Sequence, residues 1–214
     1  MLAVIQARCS SKRFPNKILK IVYGKPLIHH VIFKLSKSKK IKNIVVATSN
    51  HKSDDKLVKY LKKIKVQFFR GSLSNVAKRV LDLALSKNKT FFLRISGDSP
   101  LIDYKLADQA ISILNKNKQY DLVTNIFPRS FPKGQSVEII RTSMLKKNIN
   151  KMSKLEKEHV TKYFYKNSKN FYIKNFRNKL KTGSDKLAVD NKKDLVNILK
   201  KLDKKKFKDY SIHD

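Results

Sequence analysis

Residues 1–20 read MLAVIQARCSSKRFPNKILK. The run at 2–5 is short and apolar, as a strand buried on both faces should be. It stops at a stretch that holds Arg8, Lys12, Arg13 and Lys17, with Ser10, Ser11 and Pro15 among them. Like charges repel, so this many cations in one short loop call for a negative partner. Arginine forks onto phosphate with two hydrogen bonds, and lysine acts as a mobile point charge. Serine hydroxyls and loop amides add donors, and such a turn can form an anion nest. The competing reading is an ordinary basic loop. The spacing is neither G-x-x-x-x-G-K nor G-x-G-x-x-G.

Outward from this stretch, strand-like and helical patterns alternate. Short Val-, Ile- and Phe-rich runs follow at 43–48, 66–69, 90–95, 122–124 and 137–141. Between them Leu27, Val31 and Leu35 share a helix face, as do Leu57, Leu61 and Ile64, then Val76, Val80 and Leu83. Asp54 and Asp55 are expected to open the second helix, at the positive end of its dipole. Further helices are expected near 156–165 and over 192–202, the latter packing Leu195, Ile198 and Leu202. Residues 127–133 read as a loop and 204–208 as a frayed, solvated end. The alternation predicts a three-layer α/β/α, Rossmann-like fold with a mostly parallel sheet, in a single domain over 1–214. Such sheets bind ligands at the carboxyl ends of their strands, where the opening basic loop would lie.

The chain has 214 residues, 41% of them hydrophobic, enough for one sizeable core. Its formal net charge is +34, which raises the question of nucleic acid. Eight of its 50 basic residues are arginine and the rest lysine, spread along the whole chain on expected solvent faces. Solvated faces are the favoured reading, with no specific nucleic-acid partner. No run of about 18 apolar residues exists, so no membrane span is expected. A strand from residue 2 leaves no room for a signal peptide, and the single cysteine fits a reducing compartment. A soluble cytoplasmic protein is expected. Cys9, His29 and His30 read as structural.

Two acidic clusters stand out. In ISGDSPLID, residues 95–103, Asp98 follows a strand and Gly97 and precedes a proline turn. That place suits Mg2+, which takes one or two carboxylates together with phosphate oxygens and water. The competing role is a helix cap, and Asp103 suits it better for a helix starting near Tyr104. In LAVDNKKDL, residues 187–195, Asp190 precedes a helix, and a cap is its default role. It joins Asp98 as a metal ligand only if its strand lies beside the strand of Asp98.

IQARCSSKRFPNKIL is similar to the opening signature of the cytidylyltransferases that activate acidic sugars, the acylneuraminate and 3-deoxy-manno-octulosonate enzymes. The branch of the spore coat polysaccharide biosynthesis protein F is the most similar. FRGSLSNVAKRV, RISGDSPLID, EKEHVTKYF and LAVDNKKDL follow in that branch's order, from Val4 to about Leu199. The resemblance implies the nucleotide-diphosphosugar transferase fold and transfer of CMP from CTP to a sugar with release of pyrophosphate. It also allows a homodimer. By motif, Arg8, Ser11, Arg13 and Lys17 would grip the triphosphate beside Ala7 and Ser10. Arg8, Lys17 and Asp98 would carry the chemistry, with Mg2+ on Asp98 and Asp190. Arg70, Ser72, Asn75 and Arg79 would form the base side, next to Arg94, Ser96 and Gly97. Asn125, Arg129, Gly134, Gln135 and Glu138 would line the sugar side, with Glu158 and His159 nearby. The chain departs from the family pattern at Ser10 (usually glycine), Asn75 (usually aspartate), and Gln135 and Ser136 (usually leucine and aspartate). These departures bear on the sugar and the base more than on the reaction class.

Overall fold

The computed structural model describes residues 1–11, 13–178 and 186–211. Its strands are β1 Leu2–Gln6, β2 Ile21–Val22, β3 Lys25–Pro26, β4 Asn43–Ser49, β5 Gln67–Gly71, β6 Phe91–Ser96, β7 Leu122–Thr124, β8 Glu138–Arg141 and β9 Ile173–Asn175. Its helices are α1 Leu27–Ser36, α2 Asp55–Lys63, α3 Val76–Ser86, α4 Tyr104–Lys116, α5 Thr142–Asn148, α6 Lys154–His159, α7 Lys162–Lys166, α8 Lys192–Lys201 and α9 Lys204–Asp209.

Seven strands form one sheet in the order β5-β4-β1-β6-β8-β7-β9, and β2 and β3 make a separate hairpin. All pairings in the large sheet are parallel except the two made by β8. The apolar run of β1 has a direct cause. Ala3 and Ile5 pack into one core with α1, α2 and α4, while Leu2 and Val4 pack into a second core with α3 and α5. Both faces are covered, so neither set of alternating side chains can be polar. The three-layer α/β/α reading holds.

Several expectations are corrected. The helix expected over 156–165 is two helices, because Val160 takes φ 47° and ψ −59° between them. Thr161 N–H donates to His159 O at 2.6 Å across this residue, which makes a strained γ-turn. The end expected to fray forms α9 and buries Phe207 in a third cluster with Leu195 and Ile198 of α8 and Val22 of the hairpin. Asp54 and Asp55 do open α2, as N-cap and first residue, although the Asp54 side chain makes no capping bond to it. The hairpin, α5 and β9 have no strong sequence pattern, being only two to seven residues long.

Two glycines set the shape of the ligand-binding edge. A Cβ on Gly97 would lie 2.8 Å from Ala7 Cβ, so glycine lets the ends of β1 and β6 close together. Gly134 has φ +106°, and a Cβ there would lie 2.6 Å from the backbone of Leu187. That contact lets the segment leading to Asp190 cross over the loop before β8.

Candidate active site

The carboxyl ends of β1, β4, β5 and β6 open on one edge of the sheet, and β8, running the other way, starts there. The loop after β1 is closed on itself, because Cys9 O accepts from Ser11 N–H and Asn16 N–H, both at 2.9 Å. Asn16 takes φ 56° to turn the chain into Lys17.

Lys17 reaches inward. Its Nζ donates to Asp98 Oδ2 at 2.5 Å and to Val189 O at 2.8 Å, and lies 3.8 Å from Asp190 Oδ1. Ser96 Oγ donates to the other oxygen of Asp98 at 2.6 Å. Val189 N–H donates to Asp98 O at 2.9 Å, which draws the two acidic clusters together. Asp190 therefore meets Asp98 from a loop and not from a neighbouring strand. It is not the cap of α8 either, since Asn191 and Asp194 form a capping box there. Asp103 does cap α4, accepting from Lys105 N–H.

The other loop cations also hold carboxylates. Arg13 Nη2 is 3.1 Å from Asp190 Oδ1, and Arg8 Nη2 donates to Glu158 Oε1 at 2.7 Å. Ser11 lies in the same loop, and Ser10 Oγ, buried there, has no hydrogen-bond partner among the described residues. His159, next to Glu158, is exposed. Burial, and then the charge of Asp54, push the Cys9 thiol up to about 12, so it stays protonated and is no nucleophile.

The expected base-side residues hold the ends of β4 and β5. Arg70 Nε donates to Ser49 O at 2.9 Å, and its guanidinium pairs with Asp55 at 2.7 Å. Ser72 Oγ accepts from Asn75 N–H, and Asn75 Oδ1 caps α3 by accepting from Lys78 N–H. Arg79 is 1% exposed and donates to Ser72 O at 2.7 Å. Burial lowers its pKa to about 10 while Asp54 acts to raise it.

On the sugar side the structure sorts the expected residues into two kinds. Asn125 and Gln135 are fully buried. Asn125 donates to Gln135 O and accepts from Val137 N–H. Gln135 donates to Leu101 O and accepts from Asp103 N–H. Their amides are bonded to backbone and pin the loop before β8, so these two side chains shape the expected sugar side from beneath its surface. Arg129, an exposed residue, donates to Ser136 Oγ at 3.0 Å, and partial desolvation lowers its pKa while Glu138 acts to raise it. Glu138 is 1% exposed and binds Arg94 Nη1 in a short contact. Arg94 Nε donates to Gln6 Oε1 at 2.8 Å.

Tyr165, not singled out from sequence, completes this floor. Its hydroxyl donates to Glu138 Oε1 at 2.5 Å and lies 2.9 Å from Thr124 Oγ1. Burial and then the charge of Glu138 hold its phenol protonated, well above the ordinary value. Phe127 stacks on its ring at 4.7 Å. The pairing of β8 with β6 and β7 sets Glu138 beside Arg94 and Thr124, and Tyr165 meets them from α7.

Among the described residues no group of three or more His, Cys, Asp or Glu could hold a metal ion. Asp98 and Asp190, both meeting one ammonium, are a two-carboxylate set. That fits Mg2+ arriving with phosphate oxygens and water, and does not fit a fully protein-ligated metal.

The sequence model of the cytidylyltransferase family matches residues 2–211. The chain belongs to the cytidylyltransferase family. This cytidylyltransferase is similar to the spore coat polysaccharide biosynthesis protein SpsF of Bacillus subtilis (strain 168), 28% identical over 92% of this chain and 84% of that protein. The 3-deoxy-manno-octulosonate cytidylyltransferase of Geobacter sulfurreducens is 29% identical, over 54% of this chain and 45% of that enzyme. A solved cytidylyltransferase structure from Leptospira borgpetersenii serovar Hardjo-bovis superposes with a TM-score of 0.90 at 30% identity, over 98% of this chain and 90% of that one. Among the described residues no helix is long and apolar enough to cross a membrane.

Proposed function

We propose that the cytidylyltransferase transfers CMP from CTP to a hydroxyl of an acidic sugar, supplying an activated sugar for surface polysaccharide. The observation that carries this reading is the convergence of Arg13 and Lys17 with Asp98 and Asp190 at one sheet edge, with Arg8, paired to Glu158, in the same loop. The names of the Bacillus and Geobacter relatives support the polysaccharide and the acidic sugar.

In this reading the sugar oxygen bonds to the α-phosphorus as the bond to the β-phosphate oxygen breaks. Pyrophosphate and a proton are released. Asp98 and Asp190 would hold Mg2+, which supplies neutralising charge to the phosphates when bound. Arg8, Arg13 and Lys17 exchange carboxylate partners for phosphate oxygens. Arg8 and Lys17 offset the charge that builds on the leaving group, an effect worth roughly several kcal/mol. Little covalent work falls to the protein, so positioning and electrostatics dominate. Arg129, beside the buried Glu138, supplies a cation on the acceptor side. A cytoplasmic location and a homodimer belong to the same proposal.

The test is pyrophosphate release with Mg2+, each of the four nucleoside triphosphates and a panel of 2-keto acid sugars. Release with CTP and one acidic sugar is expected. Release with another triphosphate would overturn the base assignment. Silence throughout, with no rise in Tm on adding CTP, would sink the enzyme reading.

A further inference from the structure

Asp54 is fully buried, yet it belongs to none of the clusters that meet the expected ligands. It stands at the N-cap position of α2, and its side chain makes no bond to that helix. The carboxylate turns the other way. Oδ1 accepts from Cys9 N–H at 2.6 Å, across 45 residues of sequence. Oδ2 accepts from Ser49 N–H at 3.0 Å and from Ser49 Oγ. Three donors on one buried carboxylate form strong, geometrically defined bonds.

The bonded atoms matter more than their number. Cys9 lies between Arg8 and Ser10, and its carbonyl closes the loop by accepting from Ser11 and Asn16. One peptide unit thus carries the loop's closure on its oxygen and its anchor on its nitrogen. Ser49 is the last residue of β4, and its own carbonyl accepts from Arg70. The charge of Asp54 also acts on the buried Arg79, which holds the turn at Ser72. Asp54 sits where the phosphate loop, the end of β4 and the turn before α3 meet. A carboxylate that leaves its own helix uncapped to hold a distant loop is placed for that loop.

We propose that Asp54 is a positioning residue for the nucleotide, fixing the loop that carries Arg8, Arg13 and Lys17 against the end of β4. This rests on the reading of that loop as the phosphate site. Asparagine at 54 offers one acceptor oxygen and points an N–H2 group at donors on its other side, so either the loop bond or the β4 bonds are lost.

The experiment compares the wild-type chain with Asp54→Asn and with Asp82→Asn, a surface control whose carboxylate pairs with Lys78 one helical turn away. CTP affinity in Mg2+ is measured by calorimetry, and steady-state constants by pyrophosphate release. Asp54→Asn is expected to raise the Kd and KM for CTP by about tenfold or more, as for loss of one hydrogen bond to a charged acceptor. The acceptor KM should stay unchanged. A purely structural role would lower the active fraction and leave the CTP KM of the remaining enzyme as it was. Alkylation of Cys9, the single cysteine of the chain, should quicken in Asp54→Asn and not in the control.

A wild-type CTP affinity in folded Asp54→Asn would overturn the proposal. Failure of the wild-type chain to bind CTP would instead sink the nucleotide reading. Should Asp54→Asn not fold, amide exchange in the wild type decides. Strong protection of the Cys9 N–H, rising further with CTP, supports the anchor. Exchange of that amide at the rate of an unstructured peptide would overturn it.

Discussion

Two regions of the sheet edge are built from the same residue types and to opposite ends. Around the loop after β1, the outer ion pairs are partly open to water, the side chain of Arg13 being 71% exposed and that of its partner Asp190 29%, Arg8 33% and Glu158 44%, while the inner pair Lys17–Asp98 is more closed. On the acceptor side, the side chains of Arg94 and Glu138 are 14% and 2% exposed, and Gln6 and Tyr165 hold their remaining groups. Exposed pairs contribute little to stability and break readily, whereas a buried pair that loses one partner leaves an uncompensated charge. The first region is therefore suited to exchange carboxylates for phosphates. The second is suited to hold a shape while the acceptor comes and goes.

The sharpest way to break this contrast is Asp98→Asn. Turnover should fall by about a hundredfold or more, since charge aimed at the reacting phosphates is lost. Unfolding free energy should fall by no more than about 1–3 kcal/mol, because Lys17 keeps Val189 O and Asp190. Pyrophosphate release and urea unfolding on the same preparation check both, and wild-type activity would remove Asp98 from the chemistry.

Glu138→Ala should behave in the reverse sense. It strands Arg94, at a cost of about 3–5 kcal/mol in chemical denaturation. A loss under about 1 kcal/mol would mean that the acceptor floor is as loosely held as the phosphate loop.

Tyr165→Phe is milder. It removes one donor to Glu138 and the contact with Thr124, and should cost about 1–3 kcal/mol with CTP affinity unchanged in calorimetry.

The smallest effect is expected for Glu158→Gln. It frees Arg8 from an exposed pair, so Tm should barely move, within about 1 kcal/mol of stability. CTP should bind as tightly or about twofold more tightly, most visibly at low salt. A marked loss of stability would show that the Arg8–Glu158 pair is structural.

The sequence by itself determined the sheet's central strands and the helices that cover it. Those elements are buried on both faces or carry one long apolar stripe, and both patterns are local. It also pointed to the basic loop and to Asp98, because charge next to a strand end is visible along the chain. Tertiary structure alone decided the rest. Asp190 meets Asp98 through a bond from Val189, and Gly134 allows that segment to pass. Glu138 lies beside Arg94 and Thr124 through the pairing of β8 with β6 and β7, Tyr165 reaches it from α7, and Asp54 bonds a loop 45 residues before it. Asn125 and Gln135 look alike in sequence whether they face a sugar or pin a loop, and here each has its amide bonded to backbone. Short elements such as the β2–β3 hairpin and β9 carry too few residues for a periodicity, so contacts from distant parts of the chain fix them. A polar side chain's role depends on which distant atoms satisfy it, and that is set by packing.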